Sequence, residues 1–251
     1  LPHDQDNIDI IHHLVDSPTY WWGLDLSQYG ITKHVWMMWL AAAILLILLN
    51  IAARQGKGDV PTGLRNFFEP ILLFIRDQVL LPNMGMSGLP YLPFLFTLFL
   101  FILLCNLIGL IPGQATATAN ISVTAALAIV STLVTHFAGV RENGPIKYVK
   151  ALVPSVPAWL WPLMLVVELI GLLAKPFALA VRLWANMNAG HIVILVLLGF
   201  IFIFKSWGVV GISVFGALAI FMLELFVAVL QAYVFTFLTA VFMGLALHPD
   251  H

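Results

Sequence analysis

The chain has 251 residues, of which 61% are hydrophobic and 9% charged, with a formal net charge of −1 and a mean hydropathy of +1.01. A soluble domain carries roughly 25% charged residues, so this composition excludes one and predicts an all-α polytopic membrane protein, whose helices satisfy their own backbone in lipid. The near-neutral charge gives no electrostatic case for nucleic acid, and the lone Cys105, inside an apolar run, excludes an internal disulfide and reads as a small buried hydrophobe.

The N-terminal stretch LPHDQDNIDIIHHLVDSP is acidic and is not a signal peptide; it reads as a processed or truncated end, with residues 1–34 an exposed segment. His3, His12 and His13 are available for a metal there, although a solvated tail accounts for them as well. The rest, 35–251, reads as a single transmembrane domain. Its first span is VWMMWLAAAILLILLNIAA, residues 35–53. From about 62 to 82 the pattern changes. Leu64, Phe67, Phe68, Ile71, Leu72, Ile75 and Val79 recur at helical spacing while Arg65, Glu69 and Arg76 line the other face. This predicts an amphipathic helix along the membrane surface, with Pro70 as a kink. Residues 91–111 and 121–140 form two spans joined by PGQATATAN.

The last two apolar stretches, 158–204 and 208–247, each run for about twice the length of one crossing. No proline interrupts the second. A 40-residue helix is about 60 Å long and fits a core of about 30 Å only by tilting steeply. Two long tilted helices turning near KSWG (205–208) are expected, with four short spans as the alternative. Lysines and arginines cluster after the first span (Arg54, Lys57, Arg65, Arg76) and after the hairpin (Arg141, Lys147, Lys150). Five crossings then place the N-terminus outside and the C-terminus in the cytoplasm.

Ionisable groups deep in the last two stretches are few: Glu168, Lys175, Arg182, His191 and Glu224, with the amides Asn186, Asn188 and Gln231. Arg182 is the most demanding of them. A mid-membrane arginine costs about 2.5–3.5 kcal/mol on insertion scales, and it does not escape by deprotonation. Glu168, Lys175 and Arg182 are spaced by sevens and share a helix face with Gly171, Ala178, Ala185 and Ala189. Small side chains there either admit another helix or serve tight packing within the chain. If the two helices run antiparallel, Arg182 can lie level with Gln231 and His191 with Glu224, making two polar layers. An imidazole–carboxylate pair without clustered cysteines or paired histidines suits proton transfer better than metal or haem binding.

AVRLWANMNAGH, followed some forty residues later by ELFVAVLQAYVF, resembles subunit a of the F-type ATP synthase, in its mitochondrial and alphaproteobacterial pattern. The resemblance runs from about residue 60 to 247. It implies that Arg182 is the family's essential arginine, and that Asn186, His191, Glu224 and Gln231 hold its half-channel and arginine-partner positions. Glu168 matches an acidic position one segment earlier, and Lys175 and Asn188 are weaker candidates. In CNLIGLIP, Gly109 stands where some bacterial members carry aspartate, which leaves Asn106 as the polar candidate of that span.

The resemblance further implies a proton-conducting stator beside a ring of c subunits, held by b-type peripheral stalk subunits in the whole synthase, within the bilayer of an energy-coupling membrane. A bacterial inner membrane fits ahead of a mitochondrial one. No cofactor or metal is expected, and without a G-x-x-x-x-G-K-[ST] loop no nucleotide binds this chain. A fixed cation at Arg182 favours ionisation of a passing ring carboxylate, which then releases its proton. The competing expectations are a secondary transporter with Arg182 as its anion site, which requires repeats and broken helices, and a quinone- or haem-linked respiratory subunit.

Overall fold

The computed structural model describes residues 20–21, 24–25, 33–54, 63–111, 118, 120–145, 147–148, 161–204 and 207–248. Within them, the side chains of Glu168, Lys175, Asn186 and His191 lie outside the described set. The N-terminal histidines and most of the expected exposed segment also fall outside it. Strands β1 (Tyr20–Trp21) and β2 (Leu24–Asp25) pair antiparallel, Tyr20 opposite Asp25 and Trp21 opposite Leu24.

The other elements of length among the described residues are helical. Helix α1 spans Lys33–Arg54, α2 Leu64–Phe74, α3 Leu81–Met84, α4 Leu92–Gly109, α5 Ile121–Asn143, α6 Trp161–Phe204 and α7 Trp207–Leu247. Among the described residues, five helices are long and apolar enough to cross a membrane, with spans at His34–Arg54, Met86–Gly109, Ile121–Asn143, Phe177–Ile201 and Gly208–Leu247. The two long apolar stretches are single helices of 44 and 41 residues, so the alternative of four short spans does not hold. Helix α6 runs through Pro176 without interruption, as membrane helices tolerate.

The surface segment departs from the regular helix expected over 62–82. Helix α2 passes through Pro70 and is followed by a wider π-helical turn, Ile75–Leu80, before α3 begins. The wider turn changes the phase of the apolar stripe. Ile75, then Val79 and Leu80, then Met84 are all buried, a spacing that a strict 3.6-residue period does not produce. On the exposed side Arg76 Nε donates to Asp77 Oδ1 at 2.7 Å, and this hydrogen bond holds the Asp77 carboxyl below its usual range.

The chain divides into two compact units. One comprises 1–45, 101–124 and 181–232. In it Ala41 of α1 meets Cys105 of α4, with Met37, Met38, Phe101, Leu104 and Ile108 packed around them. Cys105 is thus a buried free thiol packed among apolar side chains. Asn120 caps α5, its Oδ1 accepting from the Ser122 N–H at 2.8 Å.

The other unit comprises 46–100, 125–180 and 233–251. Its core includes Ile75, Leu80, Met84, Leu95, Phe235 and Met243. Here the last turn of α7 is fastened by side chains. Asn143 Nδ2 donates to the carbonyls of Ala246 at 3.2 Å and Leu247 at 3.0 Å, satisfying groups that a helix end leaves unpaired. Ser87 Oγ lies 3.1 Å from His248 Nε2, and the Tyr148 hydroxyl lies 2.6 Å from His136 Nδ1.

Candidate functional site: an intramembrane polar layer

Asn106, Arg182, Asn186, Asn188, His191, Glu224 and Gln231 lie in the first unit, on α4, α6 and α7, whereas Glu168 and Lys175 belong to the stretch of α6 in the second. Buried positions on α7 recur at 224, 228, 231, 232 and 235, a single helix face. Glu224 and Gln231 both belong to that face, at 9% and 1% exposure. Sequence spacing alone predicts this, because seven residues return a helix almost to the same direction.

Glu224 is seated directly on the backbone of α6. Its carboxylate lies where a side chain on Gly190 would begin: a Cβ there would fall 2.6 Å from Glu224 Cδ and 2.7 Å from Cγ, and would collide with Oε1. Only glycine leaves room for this approach. Among the described residues, neither Glu224 oxygen meets a hydrogen-bond donor, and both are buried.

A second contact fixes how α6 and α7 run. A Cβ on Gly216 would lie 3.5 Å from a methyl of Leu197. Moving forward along α6 from Gly190 to Leu197 therefore moves backward along α7 from Glu224 to Gly216, so the helices are antiparallel. The backbone of His191, next to Gly190, lies at the level of Glu224. Gly190 was not among the candidate residues from sequence. Its signal was a glycine in the middle of a long helix, which costs about 0.8–1.0 kcal/mol relative to alanine and so calls for a reason.

Arg182 is exposed. The ion pairs among the described residues are Arg65–Glu69 and Arg76–Asp77, so Arg182 takes part in neither. Its flanks on α6 are asymmetric. Leu179, Ala180 and Leu183 are buried, whereas Phe177, Ala178 and Ala189 are exposed and Ala185 is half-buried. Among the described residues, Ala178 and Ala189 of the arginine face are thus open rather than packed within the chain. Asn188 turns its amide inward on its own helix, donating to the Trp184 carbonyl at 2.9 Å.

On α4, Asn106 is fully buried and reaches α7, its Nδ2 donating to the Ala228 carbonyl at 3.2 Å. Its Oδ1 accepts from the Thr118 hydroxyl at 2.9 Å. The geometry therefore gathers Glu224, Gly190, Asn106 and Thr118 around one stretch of α7, with Gln231 one turn beyond Ala228.

Among the described residues, five membrane-length helices carrying a buried carboxylate, buried amides and an exposed arginine define an integral membrane protein with an intramembrane polar site. Residues 35–244 match the family described as ATP synthase A chain. The chain is similar to ATP synthase subunit a of Chloroherpeton thalassium, with 45% identity over 99% of this chain and 80% of that protein. It is similar to ATP synthase subunit a of Myxococcus xanthus at 49% identity, over 91% of this chain and 77% of that one. For ATP synthase subunit a 2 of Chlorobaculum tepidum the identity is 43%, over 96% and 73%. The chain belongs to the ATP synthase A chain family.

Proposed function

We propose that this chain is the proton-channel stator of an F-type ATP synthase membrane sector, forming two aqueous half-channels beside a rotating c-ring and coupling proton flow to ATP synthesis. The observation that carries the reading is the contrast between Arg182, exposed on a face of small residues, and Glu224, buried against Gly190. Extending the Gly190–Glu224 register supplies the second layer. Arg182 lies eight residues, about 12 Å, before Gly190, and Gln231 lies seven residues, about 10.5 Å, after Glu224. Arg182 and Gln231 are then nearly level.

The chemistry follows from these positions. A ring carboxylate arriving at the guanidinium is favoured as the anion and gives up its proton. Away from the stator it faces lipid, where only the neutral form is tolerated. The same fixed cation keeps protons from passing directly between the two half-channels. Glu224 and His191 load the ring from the outside through the buried layer, Gln231 and Asn186 hold the arginine region, and Glu168 serves the cytoplasmic exit with Lys175 near it. Each proton contributes about 2.3 kcal/mol per 100 mV, so several drive one ATP. The chain has no catalytic centre of its own, and nucleotide chemistry happens on other chains. Its partners are the c-ring, b-type peripheral stalk subunits and lipid of a bacterial inner membrane, with the N-terminus outside and the C-terminus cytoplasmic. A transporter built around Arg182 requires broken helices, and nothing in the continuous runs of α6 and α7 favours it.

Arg182→Ala tests the reading. ATP-driven proton pumping, followed by fluorescence quenching in inverted vesicles, is abolished while the complex remains assembled. Normal pumping by that variant overturns the assignment.

A further inference from the structure

The buried relay from Thr118 through Asn106 to the Ala228 carbonyl has no part in the proton path described above. Thr118, Asn106 and Ala228 are each 0% exposed. Asn106 is the polar candidate of its span, and a buried amide in such a place is open to two roles. It can line the path and exchange hydrogen bonds with passing water, or it can be committed at both ends and act as a strut.

The geometry points to the second role: we propose that Thr118 and Asn106 are positioning residues that set the rotation of α7, and through it the direction of Glu224 and Gln231. The inference rests on the stator reading above. A hydroxyl donates one proton, and here Thr118 Oγ1 donates it to Asn106 Oδ1 at 2.9 Å. That orients the amide. Its oxygen faces Thr118 and its NH2 faces Ala228, where Nδ2 donates at 3.2 Å. The reversed amide would set its oxygen against the Ala228 carbonyl, acceptor against acceptor, so only one orientation satisfies both contacts.

The acceptor also matters. Ala228 is a main-chain carbonyl in the middle of α7, with a second lone pair beyond its helical hydrogen bond. Its position is four residues after Glu224 and three before Gln231, so all three lie on one face of the helix. A hydrogen bond to the backbone at that point registers the helix itself rather than one side chain. Rotating α7 by one residue's angle would break the bond and turn both Glu224 and Gln231 away together.

The test uses the whole synthase in inverted vesicles, with pumping expressed per assembled complex from immunoblots. Thr118→Val keeps the shape and removes the donor, and pumping per complex falls about tenfold, the scale of a buried acceptor left without its donor. Thr118→Ser keeps the hydroxyl and restores it to near wild type. Thr118→Val adds nothing further when combined with Asn106→Leu, because both cut the same strut. The inference is overturned if Thr118→Val pumps at the wild-type rate, if the two deficits multiply, or if the whole loss is in the amount of complex with pumping per complex unchanged. Should Thr118→Val not assemble, Thr118→Ala carries the same expectations. An Arg182→Ala control in the same preparation separates the two failures: if it pumps, the stator reading falls, whereas a silent control with a fully active Thr118→Val sinks only the strut.

Discussion

Gly190→Ala is the sharpest perturbation of the buried layer, because it adds one methyl group at the point where Glu224 touches α6. The new Cβ would sit 2.6 Å from Glu224 Cδ and 2.7 Å from Cγ, whereas carbon atoms rest at about 3.5–4.0 Å. The carboxylate must therefore retreat by about 1 Å. What yields is the end of a flexible side chain rather than a backbone, and alanine favours the helix over glycine by about 0.8–1.0 kcal/mol. Assembly should survive. Function should not, since a misplacement of about 1 Å at a reacting group can cost on the order of 100-fold. Proton-driven ATP synthesis in energised vesicles, normalised to assembled complex, is expected to fall about 10- to 100-fold. Combining Gly190→Ala with Glu224→Asp, which shortens the acid by one methylene, should recover part of the loss. Synthesis within about twofold of wild type by the single variant, a change of under 1 kcal/mol in barrier, would refute the idea that Gly190 seats Glu224. So would a loss of assembled complex in place of activity.

Two further substitutions separate packing from proton handling. A Cβ at Gly244 would lie 3.0 Å from the Asn83 carbonyl carbon and closer still to its oxygen. Here a backbone has to move, so Gly244→Ala should destabilise by about 1–3 kcal/mol. That appears as a lower melting temperature in detergent, with pumping per surviving complex unchanged. Gln231→Leu keeps most of the buried volume but removes the amide level with Arg182. It should reduce ATP-driven pumping without abolishing it, a milder defect than Arg182→Ala, and complete loss would mean that Gln231 does more than orient the arginine.

What the sequence made legible is what repeats along one chain segment. Runs of apolar residues gave the five spans, and the long proline-free stretch before Pro249 gave α7 as one helix. The seven-residue interval placed Glu224 and Gln231 on one buried face. What stayed hidden depends on contacts between segments far apart. Asn106 and Ala228 are separated by 122 residues, and no periodicity announces a side chain that bonds a distant helix carbonyl. The reason for a mid-helix glycine at 190 likewise lies in a different segment, in Glu224 resting against it. The π-helical turn at Ile75–Leu80 was missed for a related reason. A six-residue change of pitch alters the apolar spacing by one position, too little to distinguish from an irregular stripe.

Exposure means something different at Arg182 than elsewhere in this protein. Most of the apolar surface on α6 and α7 is open, including Ile203 at 71% and Phe215 at 76%. For a chain that lives in lipid those residues need no partner, because acyl chains solvate them. An arginine in the same stretch is not solvated by acyl chains, and facing them would cost about 2.5–3.5 kcal/mol or more. The charge can instead be relieved by a neighbouring acid, by water, or by another protein. Among the described residues no acid pairs with it, and its near neighbours on that face, Ala178, Ala185 and Ala189, are too short to hold a neighbour at a distance. A partner helix that comes close and brings its own carboxylate answers both facts at once. Water alone answers the charge but leaves the small residues without a purpose.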